Sequence, residues 1–328
     1  MKAIVNTAPN RLELQEIPLP QPGKMQVRIR TGACGICATD LQMIAGWKRT
    51  PFPSIPGHEW AGTVDAAGEG VDHALVRQRC VAENVLSDGG EVGFEYPGGY
   101  AEYFLTEAAK VHLLPVDFPM ATAAIIEPLA VCVRGMKRLR LENQQRFLII
   151  GDGPIGLLTL ILLHHAGIRD IMLLGGREKR LALARELGAV DTINYHLIGA
   201  DLVEGVLKQA GQAFSIVIET SGSGTAMQAS LYLTEDCGKI LQLGDYGPAR
   251  ADFEWNYPFH HQLEIIGSNA SAGAWEEAVR LAVVRRLPLE KLLTHRLPAA
   301  RFAEGIELTR SKQVDLVKVV LEWEGQDD

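Results

Sequence analysis

The sequence predicts an α/β protein in which a doubly wound parallel sheet is joined to a β-rich domain, and three observations carry that prediction. A short apolar run, Phe147-Leu148-Ile149-Ile150, has the composition of a strand buried on both faces. Gly151, Gly153 and Gly156 follow at G-x-G-x-x-G spacing, and from Ile155 to Leu163 the pattern becomes apolar and helical. Beyond this point short apolar runs alternate with helical stretches, as in parallel βαβ units with helices on both faces. Glycines placed where a strand hands over to a helix form the Rossmann dinucleotide fingerprint. They allow a tight turn and a close approach of backbone to pyrophosphate, and the helix N-terminus offers free N–H groups to the anion. Gly151, Gly153, Pro154, Ile155 and Gly156 are therefore candidate cofactor residues.

At 328 residues the chain exceeds a single typical domain of roughly 100–200 residues, so two domains are expected. Its 47% hydrophobic and 22% charged residues are ordinary for a globular chain. A formal net charge of −8 argues against general attraction to nucleic acid or anionic membrane and favours small-molecule work. The opening Met1-Lys2-Ala3-Ile4-Val5 reads as a strand and lacks the apolar core of a signal peptide. The longest apolar run, Ile155 to Leu163, is about half the length of a membrane span. Five cysteines, at 34, 37, 80, 132 and 237, make an odd set in a long chain rather than a disulfide framework, so a reduced, cytoplasmic protein is expected.

Taken in order, residues 1–121 alternate β-type runs with Gly and Pro punctuation: Gln26–Arg30, Ala61–Val64 and Tyr100–Leu105. From Ala121 to Arg140 the spacing is helical. Strands are expected at Phe147–Ile150, Ile171–Leu174, Ser215–Glu219, Lys239–Leu243 and Leu263–Ile266. Helices are expected between them at Leu157–Ala166, Arg180–Leu187, Leu202–Ala210 and Thr225–Leu233. After these come an amphipathic helix at Trp275–Arg286, a segment at Leu292–Leu297, a helix at Ala299–Arg310 and a closing strand at Leu316–Glu322, with an acidic, solvated tail. This last stretch is not a domain by itself, so the chain is expected to return to its first domain. The boundaries are 1–121 with 271–328 for the β-rich domain and 122–270 for the nucleotide domain.

The first domain carries a second constellation. Cys34-Gly35-Ile36-Cys37-Ala38-Thr39-Asp40 is followed some twenty residues later by Pro56-Gly57-His58-Glu59. Thiolate, imidazole and carboxylate are the zinc ligand types, and a catalytic site keeps three of them with one position open. Taken singly, the Cys-x-x-Cys is equally readable as a redox dithiol or as two small buried side chains, and His58 as a structural histidine. Combined in one chain with a nucleotide fingerprint, they point to a metal.

Gly35-Ile36-Cys37-Ala38-Thr39-Asp40, Pro56-Gly57-His58-Glu59, the Glu127-Pro128 pair and Gly151-Asp152-Gly153-Pro154-Ile155-Gly156, in this order, resemble the zinc-dependent medium-chain dehydrogenases of the alcohol and polyol type. The resemblance covers nearly the whole chain. It implies a GroES-like catalytic domain split around a Rossmann domain, with the active site in the cleft between them. Cys37 and His58 would be zinc ligands, Glu59 a ligand or a neighbour able to swing onto the metal, and Glu127 the family's remaining ligand position. The Glu-Pro form looks most like the sorbitol and polyol branch, where this carboxylate acts through water. Asp40 resembles the carboxylate that orients the ligand histidine, and Thr39 the hydroxyl that takes the alcohol proton. Assembly as a homodimer or homotetramer is implied as well, with Leu263–Ile266 a candidate for pairing across a two-fold axis.

Two departures from the family pattern stand out. Relatives with a structural zinc lobe have four closely spaced cysteines after the His-Glu pair, whereas Cys80 stands alone between Cys80 and Tyr103, so one zinc per chain is expected. The histidine that ends the family's proton relay is replaced by Gln42, so the relay is expected to end on water, Glu59 or Glu127.

The end of the second Rossmann strand selects the nicotinamide cofactor. An NAD enzyme usually has an acid there to bind the ribose 2′-hydroxyl and repel a phosphate. Here Ile171-Met172-Leu173-Leu174 runs into Gly175-Gly176-Arg177, with no acid, and Arg177 assisted by Arg180 could clamp a 2′-phosphate. The Gly-Gly-Arg also resembles the Gly-Ser-Arg of NADP-dependent secondary alcohol dehydrogenases, so NADP(H) is favoured over NAD(H). Thr220 and Gly244, just beyond two later strands, complete the candidate cofactor set. The sequence thus reads as a zinc-dependent oxidoreductase passing hydride between a secondary alcohol, polyol or sugar alcohol and NADP(H). The alternatives are an NADP-binding protein with a sensing or structural role and an NAD-dependent polyol or threonine-type dehydrogenase. A zinc-free quinone or enoyl reductase is disfavoured by the Cys37, His58 and Glu127 set.

Overall fold

The computed structural model describes all residues except 51, 140, 142–144, 312–314 and 324–328, so the acidic tail lies largely outside the described residues. The chain divides into two units, Met1–Glu127 with Ala272–Asp328, and Pro128–Ser271. The sequence had set these limits at 121 and 271. Among the described residues no helix is long and apolar enough to cross a membrane.

The first unit opens with a hairpin of β1 (Lys2–Ala8) and β2 (Arg11–Glu16). Its main strands are β3 (Gln26–Gly35), β4 (Glu59–Ala67), β5 (Arg79–Ala82), β6 (Tyr103–Glu107) and β7 (Val111–Leu113), with α1 (Ala38–Ile44) between β3 and β4. The long β3 alternates buried and half-buried residues up to Thr31, where one face of the strand packs on the core, and is then buried throughout to Gly35, where both faces are covered. It pairs antiparallel with β4 and β6. Ile4, Ile29, Trp60, Tyr100 and Phe104 are fully buried around it. Trp60 lies edge-on to Phe104 and donates its indole N–H to Asn84, so the polar end of that ring is satisfied inside the core.

The helix expected from Ala121 to Arg140 is two helices, α2 (Met120–Ala123) and α3 (Ile126–Leu139). Pro128 explains the break: it has no N–H to give residue 124, and its ring excludes that carbonyl, so it fits the first turn of a new helix but not the middle of an old one.

The second unit is a six-stranded, all-parallel sheet. Its strands are β8 (Phe147–Ile150), β9 (Ile171–Gly175), β10 (Asp191–Asn194), β11 (Phe214–Glu219), β12 (Thr234–Gln242) and β13 (Glu264–Gly267), in the order β10-β9-β8-β11-β12-β13. Helices α4 (Pro154–His165), α5 (Glu178–Glu186), α6 (Leu202–Ala210), α7 (Gly224–Leu233) and α8 (Asn256–His260) connect them. Every residue of α4 from Gly156 to Leu163 is buried, which accounts for a helix apolar on all sides. The strand β10, Asp-Thr-Ile-Asn, was absent from the sequence reading; it is a sheet edge with two buried residues and no apolar run to betray it. Strand order reverses between β8 and β11, and the crevice at such a reversal is where α/β sheets bind ligands.

The chain then returns to the first sheet. α9 (Trp275–Val283) precedes β14 (Leu293–Pro298), α10 (Phe302–Ser311) and β15 (Lys318–Glu322). The 3-10 turn at Ala299–Arg301 takes the start of the helix expected from Ala299. β15 pairs antiparallel with the Ala33–Gly35 end of β3, giving the order β14-β15-β3-β4-β5-β7.

Candidate functional site

The C-terminal end of β3, the start of α1 and the start of β4 converge because β3 and β4 pair in a register that sets Gly35 opposite Glu59. Cys37 is the N-cap of α1, and Gly57, at φ +101°, makes the turn that delivers His58 to the same place. Ligand atoms of Cys37, His58 and Glu59 all lie within 4.8 Å of one another. A soft thiolate, an imidazole and a carboxylate at that spacing fit a zinc ion. Behind them, Asp40 is fully buried, with Oδ1 3.2 Å from His58 Nδ1, which leaves Nε2 as the nitrogen free to ligate. The other Asp40 oxygen accepts from the Cys37 backbone N–H at 2.8 Å and from the Tyr100 hydroxyl at 3.2 Å. Thr39 Oγ1 stands 3.6 Å from Cys37 Sγ. Cys34, by contrast, is a core residue whose thiol burial pushes up, before Asp40 and Glu59 push it further.

His58 is nearly enclosed. Burial opposes its charge, but Asp40 and Cys37 outweigh that and hold its pKa well above the ordinary value. The Phe94 ring packs 4.8 Å from the imidazole, and the Arg49 guanidinium lies over the Phe94 ring at 4.6 Å while bonding Glu91 and Glu95. Phe94 thus braces the site, Trp60 belongs to the core, and Trp47 and Tyr96 are partly exposed.

Glu127, in the first turn of α3, is buried but stands outside the Cys37–His58–Glu59 triad. Burial pushes its carboxyl up to about 7, with His58 working against that and Glu59 adding to it. The folded value lies above the unfolded one, so this carboxyl supports the fold while protonated and ceases to do so as pH rises through about 7. In the zinc-stripped chain, the urea midpoint of Glu127→Gln should match the wild type near pH ~5 and exceed it near pH ~8. Equal midpoints at both pH values would refute the neutral carboxyl.

Lys318 in β15 has no counterpart in the sequence reading. It is 4% exposed, donates to Glu59 Oε1 at 2.6 Å and to the Ile36 carbonyl at 3.3 Å, and also pairs with Glu59 Oε2. A Cβ at Gly35 would collide with Glu59 Oε2 and lie 3.2 Å from Lys318 Cε, so glycine there makes room for the pair. A lysine inside Leu316-Val317-Lys318-Val319-Val320-Leu321 is the signal that could have found it.

In the second unit the fingerprint glycines end β8. Gly151 has φ +121°, and a Cβ on it would strike Thr220, whose hydroxyl donates to the Ile150 carbonyl at 2.9 Å at the β8–β11 reversal. A Cβ on Gly156 would strike the Gly151 carbonyl, whereas one on Gly153 would meet nothing, so the turn is tight underneath and open above. Gly153 caps α4 with Pro154 in its first turn, a cradle that fits a pyrophosphate. Gly175 ends β9, Arg177 caps α5, and Arg180 lies buried one turn on. Gly244 lies against Gly222 and the Glu219 carboxylate, and Glu219 gathers the Ser221 hydroxyl and N–H, the Gly222 N–H and the Tyr246 hydroxyl. The reading of the sequence passed over Glu219, which looks like the end of an ordinary strand.

Residues 23–116 match the model of the alcohol dehydrogenase GroES-like domain, and residues 154–283 that of the zinc-binding dehydrogenases. The L-threonine 3-dehydrogenase of Anaeromyxobacter sp. (strain Fw109-5) is 30% identical over 98% of this chain and 99% of its own length. The chain belongs to the zinc-type medium-chain dehydrogenase family. This dehydrogenase is also 26% identical to the sorbitol dehydrogenase of Halalkalibacterium halodurans, over 98% of this chain and 99% of that one. In fold it is similar to an alcohol dehydrogenase of E. coli CFT073 crystallised with NADH, with TM-score 0.92, 24% identity and coverage of 98% and 99%. A structure described as a zinc-binding dehydrogenase of Sinorhizobium meliloti 1021, bound to NADP, gives TM-score 0.91 at 24% identity, covering 98% of each chain. The dehydrogenase is accordingly an oxidoreductase of the alcohol and polyol type, built from a GroES-like domain and a Rossmann domain.

Proposed function

We propose that this dehydrogenase interconverts a secondary alcohol, polyol or sugar alcohol and its ketone, using one zinc per chain and NADP(H). The observation that carries this is the Cys37–His58–Glu59 triad, with Asp40 behind the histidine and Thr39 beside the thiolate. When bound, the metal supplies Lewis acidity and the nicotinamide supplies two-electron hydride exchange. Cys37, His58 and Glu59 would hold the ion. Asp40 fixes the imidazole tautomer, and Lys318 balances the charge of the buried Glu59 carboxylate. Thr39 Oγ1 accepts the alcohol proton and passes it on. Glu127, poised near neutrality, is the group able to receive that proton where the family's relay histidine is Gln42.

NADP is supported by the closed volume at the end of β9. Side chains at 175 or 176, where an NAD-type acid would stand, would run into Asp152 and into the Tyr195 ring. An NAD-dependent threonine or polyol dehydrogenase is the second reading; its substrates, though not its cofactor, are those named for the relatives at 30% and 26% identity. Five free cysteines accord with a reducing, cytoplasmic setting, and the exposed edge strand β13, with Ile265 41% exposed, accords with a homodimer or homotetramer.

The test combines metal analysis, light scattering and cofactor reduction with a panel of secondary alcohols, polyols and threonine. The expected result is about one zinc per chain, an oligomer, and turnover at least roughly tenfold more efficient with NADP than with NAD on a secondary alcohol or polyol. Turnover of threonine with NAD would establish the second reading, a monomer would remove the assembly, and tight cofactor binding with no turnover on any substrate would make the protein a sensor.

A further inference from the structure

The fingerprint residue Asp152 is 6% exposed, yet no part of the pyrophosphate turn requires an acid. Its Oδ2 accepts from the backbone N–H of Gly176 at 3.0 Å and of Arg177 at 2.8 Å. Its Oδ1 accepts from Arg177 Nη1 at 3.1 Å, with Arg180 Nη1 3.5 Å away. A Cβ at Gly175 would lie 2.6 Å from the Asp152 Cβ, so the acid and the side-chain-free position exist together.

Two roles are possible for such a carboxylate. It could accept the ribose 2′-hydroxyl as an NAD-type acid does, or it could hold the arginines. An ionised carboxylate has about four acceptor positions; three donors from this chain already bond the Asp152 carboxylate, and the Arg180 guanidinium, which donates to the Asp152 backbone carbonyl at 3.4 Å, stands against its remaining side as an ion pair. Arg177, in contrast, uses one terminal nitrogen on Asp152 and keeps a side chain 28% exposed, with donors in hand for a second anion. Arg180 is buried beneath, so its part is to complete the ion cluster and not to reach the ligand.

We infer that Asp152 is a positioning residue for cofactor selection: it locks Arg177 in the orientation that clamps the 2′-phosphate, so that a residue inside the glycine fingerprint sets the preference for NADP over NAD. This rests on the NADP preference proposed above. The arrangement also explains why like-charged Arg177 and Arg180 stand side by side, since one buried anion serves both.

The test measures dissociation constants of NADPH and NADH by nucleotide fluorescence, and of adenosine 2′,5′-bisphosphate and adenosine 5′-monophosphate by calorimetry. Wild type, D152N, R177M and the double variant are compared. D152N is expected to weaken NADPH and the bisphosphate about tenfold and to leave NADH and the monophosphate within about twofold. R177M should act in the same direction, and D152N should add little to it, as for two groups acting as one unit. D152S, smaller and uncharged, reports the same NADPH-to-NADH ratio should D152N fold poorly. NADPH binding unchanged or tightened without the carboxylate overturns the inference, as does an equal loss on both nucleotides. A wild type that prefers NADH overturns the cofactor preference itself, whereas a wild type that prefers NADPH alongside an indifferent D152N overturns the role of Asp152 alone.

Discussion

Cys37→Ser is expected to leave the purified chain with well under one zinc and to lower turnover by a factor on the order of 10³ or more, while the nicotinamide nucleotide binds as before. A thiolate is the softest donor of the triad, and a serine hydroxyl does not ionise to replace it. The loss confines itself to chemistry because Cys37, His58 and Glu59 belong to the GroES-like unit and the fingerprint glycines to the other. His58→Ala should behave alike. Asp40→Asn should cost less, about 10–100-fold, because it disturbs the orientation of a ligand and not the ligand itself. Metal content by plasma emission, read beside NADPH fluorescence titration, checks the pattern. Full turnover in a zinc-free Cys37→Ser chain would show that no metal takes part.

The second large effect is expected at Lys318. Lys318→Met leaves the Glu59 carboxylate 1% exposed and without its cation. Removing one member of a buried pair strands the other charge, at a cost of about 3–5 kcal/mol. For a unit of this size that corresponds to a fall in thermal midpoint of roughly 6–20 °C in the zinc-free protein. Pairing the change with Glu59→Gln should restore most of the stability, since the stranded charge is then gone. Zinc should also raise the midpoint of Lys318→Met more than that of the wild type, because the ion becomes the only cation facing Glu59. An unchanged midpoint in the zinc-free single variant would mean that the pair contributes nothing.

The parts of this architecture that could be read in the sequence are those with short-range causes. The strand Phe147–Ile150, the glycine turn and α4 declare themselves because the apolar runs and the glycines are adjacent in the chain. Cys37, Thr39 and Asp40 lie at the start of one helix, and His58 with Glu59 at one strand start, so local spacing was enough to bring the candidate ligands Cys37, His58 and Glu59 to notice as one group. Residues whose role depends on long-range register stayed hidden. Lys318 reaches Glu59 across 259 positions, through β3 pairing with β4 on one side and β15 on the other. Asp152 looked like the variable letter of a motif until β9 brought Gly176 and Arg177 onto it. The β10 edge failed to announce itself because a strand with one neighbour needs little apolar surface.

The place of β15 also governs how the protein comes to exist. Synthesis proceeds from the N-terminus, so β3 and β4 leave the ribosome long before their neighbour β15, with the whole Pro128–Ser271 unit made in between. That unit contains all six of its strands and can collapse on its own contacts while the earlier sheet still lacks two strands. Until translation reaches residue 318, Glu59 has no lysine, and the open side of β3 presents unpaired backbone groups at Ala33–Gly35 to any other chain nearby. The nascent first domain is thus the species most exposed to wrong pairing, and the surroundings of Glu59 are among the last features to be completed.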